Sequence, residues 1–181
     1  MKHFLHFGVL LFCCGASLWA QTPWKVDTKQ SEITYKGEHT LHAWEGKNSN
    51  VLGLAIPNST GEGLEKLAIL AYVKDFDSNN SGRDAHALEV LEALRYPEIK
   101  FYSENIPTEG NELSVEGTFN FHGKKITKTI LCKKTETTDF YQLEGAFSLS
   151  LTDFDIPLPS FMMVKMDDLI EVSFQIVLTK E

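Results

Sequence analysis

The run Tyr141-Gln142-Leu143-Glu144-Gly145-Ala146-Phe147-Ser148-Leu149-Ser150-Leu151 constrains this chain more than any other feature. Its large apolar residues fall on alternate positions, the signature of a β-strand with one buried face. The same period recurs in Leu113–Phe121, with Leu113, Val115, Phe119 and Phe121 on one side, and in Ser31–Lys36 and Glu171–Leu178. Leu67–Lys74 and Ile99–Ser103 read as further strands. Turn-forming clusters separate them, at Pro57–Gly61, Asn79–Gly82, Glu109–Asn111 and Gly123–Lys125. Several long strands of this kind would leave edges open to aggregation unless the sheet closes on itself. The expected fold is therefore mainly β, a closed or nearly closed antiparallel β-barrel with one short helix.

The helix is expected at residues 85–94. Asp84 can cap its first turn, and Ala87, Leu91 and Leu94 share a face at i, i+4 and i+7. Pro97 stops it. It should lie across one end of the sheet. No repeat, linker or low-complexity tract divides the chain, so residues 21–181 read as one β-barrel domain.

Residues 1–20 read as a signal peptide rather than as part of the fold. Lys2 starts it, an apolar run from Phe4 to Trp19 follows, and cleavage is expected after Ala20, although Leu18 stands where a small residue is preferred. The run is short for a membrane span, which needs roughly 20 apolar residues with anchoring flanks. A lipoprotein reading would acylate Cys14, but Phe12 and Cys13 fit that pattern badly. Removing these 20 of 181 residues leaves 161, enough for a substantial core.

The net charge of −8 becomes one unit more negative without the leader, which holds one lysine and no acid. Such a chain lacks the basic surface that nucleic acid demands, and charge would not draw it to an anionic membrane. Cys13 and Cys14 leave with the leader, so Cys132 alone remains and no intrachain disulfide can form. Cys132 reads as a small buried hydrophobe. An exported protein, periplasmic or secreted, is expected, with no stable membrane insertion; a homodimer is compatible with the sequence.

The face assigned to the interior includes Ile33, Tyr35, Leu54, Phe101, Phe119, Phe121, Phe147, Leu149 and Phe174, together with Leu52, Ile56 and Tyr141. It carries no Asp, Glu, Lys or Arg. An eight-stranded barrel is just wide enough to be filled by its own side chains or to hold one small ligand. Both readings stay open from periodicity alone. If the barrel is hollow, an apolar chain suits it, since each buried methylene is worth about 0.8 kcal/mol and an unpaired buried charge is costly. The first nine residues above are then the expected ligand contacts.

Catalytic and metal chemistry find little support. His39 and His42 lie three apart, on opposite faces of an extended strand, so shared ligation would need a turn. His86 and His122 complete the histidines of the mature region, and neither a nearby Cys nor an HExxH-like helix completes a zinc set. There is no Gly-x-Ser-x-Gly elbow and no phosphate-cradling glycine loop. No catalytic residue, metal or cofactor is expected. Trp24 should pack at the start of the first strand, and Trp44 at one end of the barrel, within reach of a ligand.

Residues 82–103 carry a specific resemblance. Gly82-Arg83-Asp84, a short helix, then Tyr96-Pro97-Glu98-Ile99-Lys100-Phe101-Tyr102-Ser103 resembles the most recognisable stretch of the YceI family. Trp24–Asp27 with Ser31–Ile33, Thr40–Gly46, Gly117–Gly123, and Leu151–Ile156 with Asp167-Asp168 resemble further family segments in the same order. The resemblance implies a lipocalin-like barrel, export, and binding of a polyisoprenoid or isoprenoid quinone in its hollow; it implies no catalytic residue. One departure is Lys124-Lys125-Ile126-Thr127-Lys128, where the family's Thr-Lys is displaced by two residues. A lengthened hairpin at the rim is expected there. The leading expectation is an exported carrier of an apolar isoprenoid lipid. The alternatives are a filled barrel acting as an interaction or stress-protection module, and a histidine-based metalloenzyme.

Overall fold

A computed structural model describes residues 22–39, 42–161 and 164–180, so the leader expected at residues 1–20 lies outside the described residues. Twelve strands and one α-helix follow in chain order among them. They are β1 (Trp24–Val26), β2 (Glu32–His39), β3 (His42–Asn48), β4 (Leu52–Pro57), β5 (Leu64–Tyr72), α1 (Ser81–Val90), β6 (Glu98–Glu104), β7 (Glu112–Phe121), β8 (Lys124–Glu136), β9 (Phe140–Ser150), β10 (Ser160–Phe161), β11 (Val164–Lys165) and β12 (Leu169–Thr179). Strands β1-β4-β5-β6-β7-β8-β9-β12 neighbour one another in that order, and β1 returns to β12, closing an eight-stranded antiparallel barrel. Beyond β1 the chain continues along β12 as β2, and the β2–β3 hairpin raises the wall at one end.

The two ends differ. At the closed end, Trp24, Val51, Leu64, Ile106, Leu113, Tyr141 and Leu178 are buried together. Trp24 packs at the start of β1, with its ring 6.0 Å from that of Tyr141 and the Lys180 ammonium 4.8 Å above it. At the other end, Phe121, Leu151, Phe154 and Ile156 form a second cluster, on which Leu88, Val90, Leu91 and Ala93 rest. Helix α1 thus lies across the mouth of the barrel, as a short apolar-faced helix between β5 and β6 should.

The helix begins earlier than the sequence suggests. Asn80 is its N-cap, accepting from the Arg83 N–H at 3.0 Å. Asp84, the expected cap, instead accepts from the backbone N–H and hydroxyl of Ser78 at 3.1 and 2.6 Å, and so ties the first turn to the preceding loop. Glu92 adopts a left-handed conformation (φ 45°), so the regular helix stops at Val90. Leu94 is thereby turned off the packed face and is fully exposed.

The rim hairpin is also tighter than expected. Phe121 pairs with Lys124, leaving His122 and Gly123 as a two-residue turn with φ of 49° and 75°. Positive φ at both positions is the type I′ geometry that matches strand twist. The displaced Thr-Lys therefore lies within β8 and does not lengthen the turn. Nearby, Asp168 accepts from the Thr152 N–H (2.8 Å) and from the hydroxyls of Ser150 (2.7 Å) and Thr152 (2.9 Å), fastening the β9–β10 connection at the mouth. Those donors hold its carboxyl below the usual aspartate range.

Strand β4 corrects the inward assignment. Leu54 is 50% exposed and Leu52 is also exposed, so both face solvent, while Ala55 and Val51 are buried. A Cβ on Gly53 would come within 2.8 Å of Val26 and 2.9 Å of Ile69. The inner face of β4 meets a closed end already filled by those side chains, so small residues point in and leucines point out.

Candidate functional site

Between the closed end and α1 lies a cavity of about 260 Å³, just under the size typical of small-molecule sites, roughly 300–1,000 Å³. A belt of phenyl rings surrounds it. Phe101 meets Phe119 at 4.9 Å between ring centres, Phe119 meets Phe147 at 5.4 Å, and Phe147 meets Phe174 at 6.1 Å. Each pair is tilted, as ring quadrupoles favour. Leu88 and Val90 of α1, with its C-cap Leu91, form the roof, and Pro159 and Met166 complete the mouth.

The rings line the bore instead of plugging it because glycines sit beneath them. Gly145 on β9 is directly opposite Phe174 on β12, and a Cβ there would lie 2.9 Å from that ring. A Cβ on Gly117 of β7 would overlap the Phe101 ring itself. The β2–β3 hairpin repeats the device with larger rings: Tyr35 lies over Gly46, and Trp44 over Gly37. In each pair the missing side chain lets an aromatic ring lie down against the wall.

Of the residues expected from the sequence to meet a ligand, Ile33, Tyr35, Phe101, Phe119, Phe121, Phe147, Leu149 and Phe174 all line this cavity. Leu54 does not; it is on the outer wall. Tyr141 faces inward but belongs to the closed end, and Ile56 is not part of the lining. The pattern of the strands missed the roof, since α1 contributes through partly buried Leu88, Val90 and Leu91. Their apolar character within a helix next to Pro97 was the available signal.

The polar groups of the lining gather at the mouth. The Arg83 guanidinium lies 5.7 Å from the Trp44 ring, and Asp84 is held by Ser78. Burial, with Asp84 nearby, raises the Tyr35 hydroxyl above the ordinary tyrosine range, and Trp44 is its side-chain hydrogen-bond partner. His86 is largely exposed on α1, 3.9 Å from Glu89. Deeper in, Cys132 lines the bore, and burial pushes its thiol up to about 11, so it stays protonated and unreactive near neutrality.

His122 is buried at the β7–β8 turn, where Nδ1 donates to the Phe154 carbonyl at 3.0 Å and the ring lies tilted against Tyr96, 4.6 Å between centres. His39 and His42 are paired across the β2–β3 hairpin. Among the described residues, no three His, Cys, Asp or Glu side chains converge on one point. The arrangement can accept an apolar chain along its length and a small polar group only at the mouth.

Comparison with known proteins agrees with this geometry. The family model for the YceI-like domain matches residues 24–178. Protein YceI of Salmonella agona (strain SL483) is 23% identical over 127 residues, which span 68% of this chain and 65% of that protein, slightly under two thirds of its length. Among solved structures, Burkholderia cenocepacia BcnA superposes with a TM-score of 0.73 at 18% identity, covering 84% of this chain and 98% of that one. A polyisoprenoid binding domain from Saccharophagus degradans, implicated in plant cell wall breakdown, gives 0.71 at 9% identity, covering 87% and 98%.

Proposed function

This chain belongs to the YceI-like domain family, and from that premise we propose that it is an exported binding protein that carries or sequesters an apolar isoprenoid-type lipid, a polyisoprenoid or an isoprenoid quinone, inside its barrel. The observation that carries the reading is the open, ring-lined bore whose polar groups are confined to one end. A ligand with a long branched hydrocarbon tail and a compact head matches that division. Ile33, Tyr35, Phe101, Phe119, Phe121, Phe147, Leu149 and Phe174 are its proposed contacts. Likeness to a domain described as polyisoprenoid-binding supports the ligand class. The role is binding without turnover, and the filled-barrel alternative loses ground to the cavity. Export rests on the leader read in residues 1–20.

Burying about ten methylene equivalents would contribute about 8 kcal/mol, the scale of a micromolar dissociation constant. Trp44 lines the mouth and serves as a reporter. Titration of the mature protein with a long-tailed isoprenoid quinone should quench tryptophan fluorescence saturably, at one equivalent and micromolar affinity or tighter. The same quinone ring without its tail should bind at least a hundredfold more weakly. Equal affinity for the two, or no saturable quenching, removes the proposal.

A further inference from the structure

We infer that His122 and Glu92 form a pH-sensitive latch, which holds the α1 roof down on the bore at low pH and frees it as pH rises; the inference rests on the lipid-binding reading of the cavity. The roof is weakly seated. No residue of α1 is buried, and segments with few buried apolar contacts are the ones that open locally. At about 260 Å³ the cavity is also small for a long-tailed lipid, so entry and exit require the roof to lift. What holds the roof is its two ends. The first turn is tied down by Asp84 on Ser78. The exit is held where residues 92–96 meet the β7–β8 turn. There the Tyr96 ring lies 4.6 Å from that of His122, and a Cβ on Gly123 would come within 2.9 Å of it.

His122 is 8% exposed, and both of its ring nitrogens face acceptors. A carbonyl oxygen cannot donate, so Nδ1, 3.0 Å from the Phe154 carbonyl, carries a proton. Nε2 is buried without a hydrogen-bond partner, and the Glu92 carboxylate stands 3.8 Å from it. In the neutral ring Nε2 presents a lone pair to that carboxylate, acceptor against acceptor. In the charged ring it presents an N–H, and an approach of about 1 Å makes a charge-assisted hydrogen bond. Glu92 is free to make that approach, since its side chain is half-exposed on the turn that ends the helix.

The other charged groups of the surrounding elements do not replace this contact. Arg95 stands 3.6 Å from Glu92, with its guanidinium 5.0 Å from the Tyr96 ring, but it is largely exposed, and such pairs are worth little. Glu98 on β6 is taken by Lys100 at 2.6 Å, and Glu89 on α1 lies 3.9 Å from His86. Lys124 on β8 pairs with Asp155 beside Phe154, and Asp153 is exposed. Leu88, Val90 and Leu91, the roof of the bore, directly precede Glu92, so a held Glu92 holds them. The charged ring therefore favours the lowered roof. Histidine changes charge between about pH 5 and 8, so the hold is full at the low end of that range and is lost as pH rises.

Release of a long-tailed isoprenoid quinone from the mature protein, followed by recovery of tryptophan fluorescence at pH 5.5 and pH 8, tests this. The wild type should release at least fivefold more slowly at pH 5.5, the scale of one charge-assisted hydrogen bond. Glu92→Gln puts an amide donor opposite the neutral ring, so it should release slowly at both pH values, with less than a twofold change between them. His122→Asn tolerates the positive φ of the turn and carries no charge, so it should release at pH 5.5 as fast as the wild type does at pH 8. A wild type whose release ignores pH, or either variant keeping the wild-type pH dependence, overturns the latch. Amide hydrogen exchange of residues 83–96 in the ligand-free protein separates the latch from the cavity reading. At pH 8 these amides should exchange at least fivefold faster in the wild type than in Glu92→Gln, and at pH 5.5 within twofold. Equal exchange at both pH values overturns the latch even where the quinone binds. The expected difference in a protein that binds no quinone overturns the cavity reading and leaves the latch standing.

Discussion

Gly117→Ala is expected to close the bore. In β7 alanine should be the better strand residue, by roughly 0.5–1 kcal/mol on conformational entropy alone. A Cβ at this position, however, overlaps the Phe101 ring and lies 2.9 Å from the Tyr102 carbonyl oxygen. The backbone has little room to yield, so the ring must leave the wall. Its way out is the bore, where Phe119 already stands 4.9 Å away. Overpacking of this kind costs about 1–3 kcal/mol. Unfolding in urea should show that loss, and the dissociation constant for a long-tailed isoprenoid quinone should rise at least tenfold. Removing the ring as well, in Gly117→Ala/Phe101→Leu, should restore most of the binding, a coupling that a double-mutant cycle reads directly. If Gly117→Ala is stabilised and binds like the wild type, the glycines do not hold the bore open.

Val172→Asp is expected to have the larger effect on stability. Val172 is buried in the lining, with Tyr35 across β2 and Phe147 across β9 as its cross-strand partners. None of these offers a cation, so a carboxylate there would be desolvated without compensation, at about 3 kcal/mol or more. Desolvation raises the folded-state pKa of the new aspartate above its unfolded value of about 3.9. Well below pH 4 both states carry the proton and the ionic penalty is absent. It grows as pH rises and is complete above the folded-state pKa. The gap in melting temperature between Val172→Asp and the neutral Val172→Asn should therefore be small at pH 4 and wide at pH 7, with quinone binding abolished at pH 7. A gap that does not change with pH would mean that the carboxylate finds water, and that the lining is wet.

The strands and the barrel were legible because alternation along β7, β9 and β12 records which face meets the interior. That same record failed at β4. In Leu52-Gly53-Leu54-Ala55-Ile56-Pro57 the alternation sets the large residues on one face, which reads as the inner one, but Val26 and Ile69 leave room inside only for the small ones. The helix start was hidden in Asn79-Asn80-Ser81-Gly82, a cluster that reads as a turn because capping residues and turn residues are the same types. Whether the barrel is hollow could not be read from apolar periodicity. The sequence did hold a clue: Gly117 and Gly145 occupy inward positions within the cleanest alternations, and glycine inside a strand marks a close approach. The partners in that approach, Phe101 and Phe174, come from other strands, so they emerge only when the sheet is assembled.

The proposal that this barrel encloses a hydrocarbon chain is tested most directly by what the protein carries out of its own cell. Mature protein purified from its source without detergent can be measured by native mass spectrometry and then extracted with organic solvent. A bound mass near one equivalent, identified in the extract as a lipid with an isoprenoid tail and absent from Val172→Asp, is the expected result. Protein that emerges at its bare polypeptide mass, with nothing isoprenoid in the extract, would contradict it.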